Sequence, residues 1–118
     1  SMKICIDYLQ KIKKVKNQRK FLILGEMKEL GKNSLKFHID LLNYVSDKNI
    51  ENVIICGELM KIALEKSNNN KIFYMPNMES ILDFLKKTLN NNDIILIKGS
   101  NSSLSNKLAK ELLKRRVN

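Results

Sequence analysis

Two stretches carry residues whose types and spacing could do chemistry. The first, GEMKELGKNS at residues 25–34, follows the apolar run FLIL and leads into a helical pattern. Strand, glycine-containing turn and helix is the layout of a phosphate loop, where backbone N–H groups and a lysine cradle phosphate oxygens. The spacing argues against that device. A phosphate loop needs G-x-x-x-x-G-K-[ST], whereas five residues separate Gly25 from Gly31 here and Asn33 sits between Lys32 and Ser34. Ser34 reads instead as a helix N-cap. The second stretch, IILIKGSNSS at 94–103, leaves an apolar run at Lys98. Gly99 permits an unusual backbone angle or a close ligand approach. Ser102 or Ser103 would cap the last helix, whose N-terminal N–H groups favour a carboxylate or phosphate. A capped helix start with an exposed lysine uses the same residue types, and both readings stay open.

Other titratable residues give weaker signals. His38 is the sole histidine and shares an apolar stripe with Leu35, Leu42 and Val45. That position suits a core or loop-anchoring histidine better than a catalytic base, and no nearby set forms a nucleophile triad. Glu26 and Glu29 are either paired carboxylates or a solvated pair, while Glu58 suits the N-terminus of its helix. Cys5 and Cys56 show no C-x-x-C spacing, so neither zinc nor a disulfide framework is suggested. Both read as buried free thiols in a reducing, cytoplasmic chain. No metal site is expected.

These residues need a scaffold, and hydrophobic patterning supplies one. Met2, Cys5, Leu9 and Ile12 recur at helical spacing over about the first fourteen residues. Four short, continuously apolar runs follow at 21–24, 53–56, 72–75 and 94–97. None alternates with polar residues, as befits strands buried on both faces of a parallel sheet. Helical stripes separate them, closing with Leu104, Leu108 and Leu112. The expected fold class is α/β, a Rossmann-like open, mainly parallel sheet with helices on both faces. Ligand sites in such sheets lie at the carboxyl ends of the strands, here 25–33, 57–58, 76–77 and 98–103.

At 118 residues the chain reads as a single domain, 1–118, with 43% hydrophobic and 29% charged residues. No apolar run approaches the ~20 residues that span a bilayer, and the lysine-rich start is no secretory signal. The formal charge of +10 is an end effect: residues 1–20 carry seven Lys/Arg against one Asp, and residues 102–118 five against one Glu. The middle sums to zero, with ten charges of each sign. With three Arg and no Trp, specific nucleic-acid readout is not expected. Solvated charged faces suffice.

Three segments carry a family resemblance. LGEMKELGKNSLKFH at 24–38 resembles the LGDMxELGxxSxxxH signature of the C-terminal domain of the Mur ligases. VIICGEL at 53–59 resembles that family's strand-plus-GEL element, and DIILIKGSNS at 93–102 its DVVLVKGSRS segment. They occur in order and cover the chain from Arg19 onward. The member most similar adds D-alanyl-D-alanine to UDP-N-acetylmuramoyl-tripeptide in bacterial peptidoglycan synthesis, and so serves cell shape and division. The resemblance implies the last domain of a monomeric, cytoplasmic, three-domain enzyme. ATP and magnesium would be held mainly by the central domain. They activate the tripeptide carboxylate as an acyl phosphate, which the dipeptide amine attacks.

By motif, the resemblance makes Lys98, Gly99, Ser100, Asn101 and Ser102 the dipeptide-side loop. Glu26, Met27, Glu29, Leu30 and Gly31 become the loop facing the cleft toward the central and N-terminal domains. No catalytic residue is implied, and a domain alone would be inactive. The family's arginine in the KGSRS segment is Asn101 here. Either Lys98 supplies the charge for a carboxylate, or the contact comes from elsewhere, or that arginine has no such role. A rival reading is a stand-alone flavodoxin-like regulatory module with basic ends for an anionic partner. A receiver-type phosphorylation site would need an acidic pair after the first strand and an Asp ending a middle strand. Leu24 and Gly25, and Cys56 and Gly57, occupy those places.

Overall fold

A computed structural model describes every residue except Ser1, Glu29, Asn68, Asn101 and Asn118. The side chains of residues 102–104 and 113–117 also lie outside the described set. Four strands form: β1 Lys20–Gly25, β2 Asn52–Cys56, β3 Ile72–Tyr74 and β4 Ile94–Lys98. Five α-helices accompany them: α1 Met2–Lys11, α2 Ser34–Ser46, α3 Glu58–Ser67, α4 Met78–Thr88 and α5 Ser102–Val117. The sheet is parallel throughout in the order β3-β2-β1-β4. The α/β, Rossmann-like fold expected from the sequence is the fold observed.

Strand pleating divides the core between two faces. Leu22, Leu24, Val53 and Ile55 join Met2, Ile6 and Leu9 of α1, Leu41, Leu42 and Val45 of α2, and Met60 and Ala63 of α3. Phe21, Ile23 and Ile54 point the other way, onto Ile81, Leu82 and Leu85 of α4 and Leu108 of α5. β1 is buried along its whole length, as its unbroken apolar run predicts. The edge strands differ from expectation. β3 is an edge strand on which Phe73 is 60% exposed, and β4 is half-buried throughout.

Three further local expectations need correction. α1 ends at Lys11, short of fourteen residues. Lys14 pairs with Glu51 near the entry to β2, and Asn17, at φ 64°, turns the chain into β1. Ser34 is the first residue of α2 rather than its N-cap. Asn33 holds that position without a side-chain bond, because a 3₁₀ turn, Gly31–Asn33, runs straight into the helix. Cys5 and Cys56 are free but only half-buried.

At the amino end of the sheet, Arg19 fastens β4 to β1. Its Nε and Nη2 donate to Asp93 at 3.2 and 2.7 Å, and Nη2 also donates to the Thr88 carbonyl at 2.6 Å. Burial opposes ionisation of Asp93, but the Arg19 hydrogen bond and the Asn90 and Arg19 N–H groups outweigh it. The carboxyl is held below its ordinary value.

Candidate functional site

The strand order decides where a ligand can sit. The chain steps from β1 to β2 to β3 in one direction, then returns to place β4 on the other side of β1. Its crossovers leave β1 and β4 toward opposite faces, so a crevice opens between their carboxyl ends. Those ends are the two stretches singled out by sequence, and they meet. The Ser100 N–H donates to the Glu26 carbonyl at 3.1 Å, and the Lys28 N–H donates to Ser100 Oγ at 2.8 Å. Ser100 Oγ also lies 3.5 Å from Met27 Sδ.

Gly99 makes this closeness possible. A Cβ there would stand 3.1 Å from Gly25 Cα and 3.2 Å from its carbonyl carbon, against backbone that cannot swing away. Lys98 ends β4 half-buried, with Leu24 as its neighbour across the ladder. Lys98 has no ion-pair partner among the described residues.

The β1 loop is braced from behind. Glu26 turns its carboxylate to the start of α3, where Oε2 accepts the Leu59 N–H at 2.8 Å. That satisfies an N-terminal amide and places negative charge where the helix dipole favours it. Gly57 is required opposite it. Its φ is 113°, and a Cβ would lie 2.6 Å from Glu26 Cγ. Burial first, and then the Glu26 charge, push the Cys56 thiol up, partly offset by the Gly57 N–H. His38 is fully buried; its Nε2 accepts the Met27 N–H at 3.0 Å.

Of the sequence-predicted residues, Glu26, Met27, Lys98, Gly99 and Ser100 come together at the crevice. Leu30 and Gly31 continue the β1 loop into the 3₁₀ turn, Leu30 half-buried and Gly31 exposed. Glu29, Asn101 and the Ser102 side chain lie outside the described residues. The other two strand ends serve as helix starts. Asn77 Oδ1 accepts the Ser80 N–H at 2.9 Å in a capping box, and Gly57 leads into α3. Sequence reasoning missed the brace from Glu26 to Leu59, for which glycine directly after an apolar strand was the available signal.

Among the described residues no three or more His, Cys, Asp or Glu are grouped to hold a metal ion. The chain also lacks the G-x-x-x-x-G-K-[ST] phosphate loop. Among the described residues no such set offers magnesium a site. No helix among the described residues is long and apolar enough to cross a membrane.

Comparison with known proteins agrees with this geometry. The chain is 34% identical over 102 residues to the UDP-N-acetylmuramoyl-tripeptide--D-alanyl-D-alanine ligase of Rickettsia prowazekii, covering 85% of this chain and 22% of that protein. It is 33% identical over 116 residues to the ligase of the same name from Buchnera aphidicola, covering 97% and 24%. The chain thus spans about a quarter of the length of these relatives. A MurF crystal structure from Acinetobacter baumannii matches its fold with a TM-score of 0.78 at 22% identity, over 97% of this chain and 25% of that one. MurF ligase from Thermotoga maritima, solved in complex with ADP, gives 0.67 at 27% identity, over 94% and 25%. The profile of the Mur ligase glutamate ligase domain matches residues 1–101, and the chain belongs to the Mur ligase family.

Proposed function

We propose that this chain is the C-terminal domain of an ATP-dependent ligase that adds D-alanyl-D-alanine to UDP-N-acetylmuramoyl-tripeptide in bacterial peptidoglycan synthesis. The observation that carries it is the locked pair of loops after β1 and β4, with Lys98, which has no ion pair among the described residues, beside them, in a chain of this family. The Lys98 ammonium attracts the dipeptide carboxylate, and Ser100, fixed through Lys28 and Glu26, keeps the Lys98-Gly99 backbone in place. By their place in the family motifs, Asn101 and Ser102 belong to the dipeptide side, and Glu29, Leu30 and Gly31 to the side facing the rest of the enzyme. Orienting the dipeptide lets its amine attack the activated acyl carbon, forming the C–N bond as phosphate leaves and the amine loses a proton.

ATP and magnesium belong to the central domain of the full-length enzyme in this proposal. Residues 1–118 act as one domain that closes over the nucleotide, and as a monomer in the cytoplasm, where nucleotide-linked precursors and ATP occur. Family membership favours this over a stand-alone regulatory module. The test joins the chain to the central and N-terminal domains and follows ATP-dependent amide formation on UDP-linked tripeptide. Product that requires D-alanyl-D-alanine is expected. Turnover without the dipeptide, or none with it, would sink the proposal.

A further inference from the structure

The hydrogen bonds of the crevice lead back to one buried side chain that touches no reacting group. His38 projects from α2 and is 0% exposed. Its Nδ1 lies 2.6 Å from the Ser34 carbonyl oxygen, which can only accept, so Nδ1 carries a proton. Its Nε2 lies 3.0 Å from the Met27 amide nitrogen, which can only donate, so Nε2 offers its lone pair. Both partners are backbone groups whose roles cannot be exchanged. The contacts therefore select the neutral Nδ1–H tautomer.

We infer that His38 is a positioning residue for the dipeptide loop, acting through Met27. Fixing the Met27 amide orients the next peptide, whose Lys28 N–H donates to Ser100 Oγ at 2.8 Å. Ser100 closes the circuit by donating its own N–H to the Glu26 carbonyl at 3.1 Å. One ring nitrogen on α2 thereby sets the seating of a loop that begins 60 residues later at Lys98. Removing the acceptor strands the Met27 N–H without a fixed partner and loosens both loops. The link to the dipeptide rests on the function proposed above; the link to the loops does not.

Two measurements separate these. In the 118-residue chain labelled with ¹⁵N, the histidine signals should show a protonated Nδ1 and an unprotonated Nε2 at neutral pH. The His38→Leu variant should speed hydrogen exchange at Met27, Lys28 and Ser100 while Leu22 and Ile23 in β1 stay protected. An Nε2–H tautomer, or unchanged exchange at Met27, overturns the inference. In the ligase carrying this domain, His38→Leu should raise KM for D-alanyl-D-alanine about tenfold and leave KM for ATP unchanged. The His38→Gln variant, whose amide can both accept and donate, should recover most of that loss. Equal rises in both constants, or no recovery with Gln, would count against positioning. A wild-type ligase without dipeptide-dependent turnover would refute the functional proposal, leaving His38 judged on tautomer and exchange. Should His38→Leu fail to fold, the wild-type tautomer and the His38→Gln exchange pattern still decide it.

Discussion

Lys98 and Arg19 are cations at opposite ends of the sheet, and their partners separate their roles. Arg19 is committed to Asp93 and Thr88, whereas Lys98 has no ion pair among the described residues. On the proposed function, Lys98→Ala removes a charge-assisted bond, typically about 1.5–3 kcal/mol, so KM for the dipeptide should rise roughly 10- to 100-fold. KM for ATP should stay near its wild-type value; a dipeptide constant unmoved by Lys98→Ala would remove it from the site. Asp93 invites a stability measurement instead. Its side chain is 0% exposed while that of Arg19 is 31% exposed. Asp93→Asn should cost about 2–3 kcal/mol at pH 7, below the ~3–5 kcal/mol of breaking a fully buried pair. Because the folded carboxyl titrates below its ordinary value, its stabilisation is present above about pH 4 and fades as pH falls through the folded value. The gap between wild type and Asp93→Asn in urea denaturation should therefore narrow on acidification. A gap constant from pH 7 to pH 3 would show that the ion pair is not its source. The Arg19–Asp93 pair was not visible in the sequence, since the two residues stand 74 positions apart and only the sheet brings them together.

At the scale of elements, the turn from β2 into α3 shows how local strain and a distant carboxylate fit each other. Gly57 holds φ at 113°, and the space its missing Cβ leaves is filled by Glu26 Cγ at 2.6 Å. Gly57→Ala should cost about 2–3 kcal/mol, combining ~1–2 kcal/mol of backbone strain with ~1 kcal/mol for the displaced cap on Leu59. Urea denaturation checks this, and a loss under ~0.5 kcal/mol would mean that the turn relaxes freely. Continuous apolar runs made the four strands legible, because a central parallel strand needs apolar side chains on both faces. Less legible was which strands would be edges. Ile72, Phe73 and Tyr74 look as buried by composition as the Ile94 run, yet Phe73, at the edge strand β3, is 60% exposed and joins neither core cluster, although its ladder partner Ile54 is fully buried. Strand order is a global property, and four apolar runs do not encode it singly. The start of α2 escaped for a related reason. Asn33 and Ser34 are both good caps, and only the 3₁₀ turn before them decides which one falls at the boundary.

For the whole molecule, strand order separates a chemical end from a structural end. The loops at 25–28 and 98–100 lie together at the carboxyl edge. The Arg19–Asp93 and Lys14–Glu51 pairs stand at the amino edge. A groove of about 260 Å³ also opens at the amino edge, lined by Val45, Lys48, Ile50, Lys71 and Phe73 among others. That groove is a rival binding place. The topology favours the other edge, since the connections diverge beside β1 there and Lys98 stands at the end of β4. Titrating the ¹⁵N-labelled chain with D-alanyl-D-alanine decides between them. One ammonium and a few hydrogen bonds support affinity of roughly millimolar or weaker, so the expected signal is fast-exchange shifts at 25–28 and 98–100. The amides of Ile50, Lys71 and Phe73 should not move. Amidating the dipeptide's carboxyl group removes the charge Lys98 attracts and should weaken those shifts severalfold. Shifts centred on the groove, or equal shifts with the amidated dipeptide, would place recognition away from Lys98 and leave the carboxyl-edge loops a structural role.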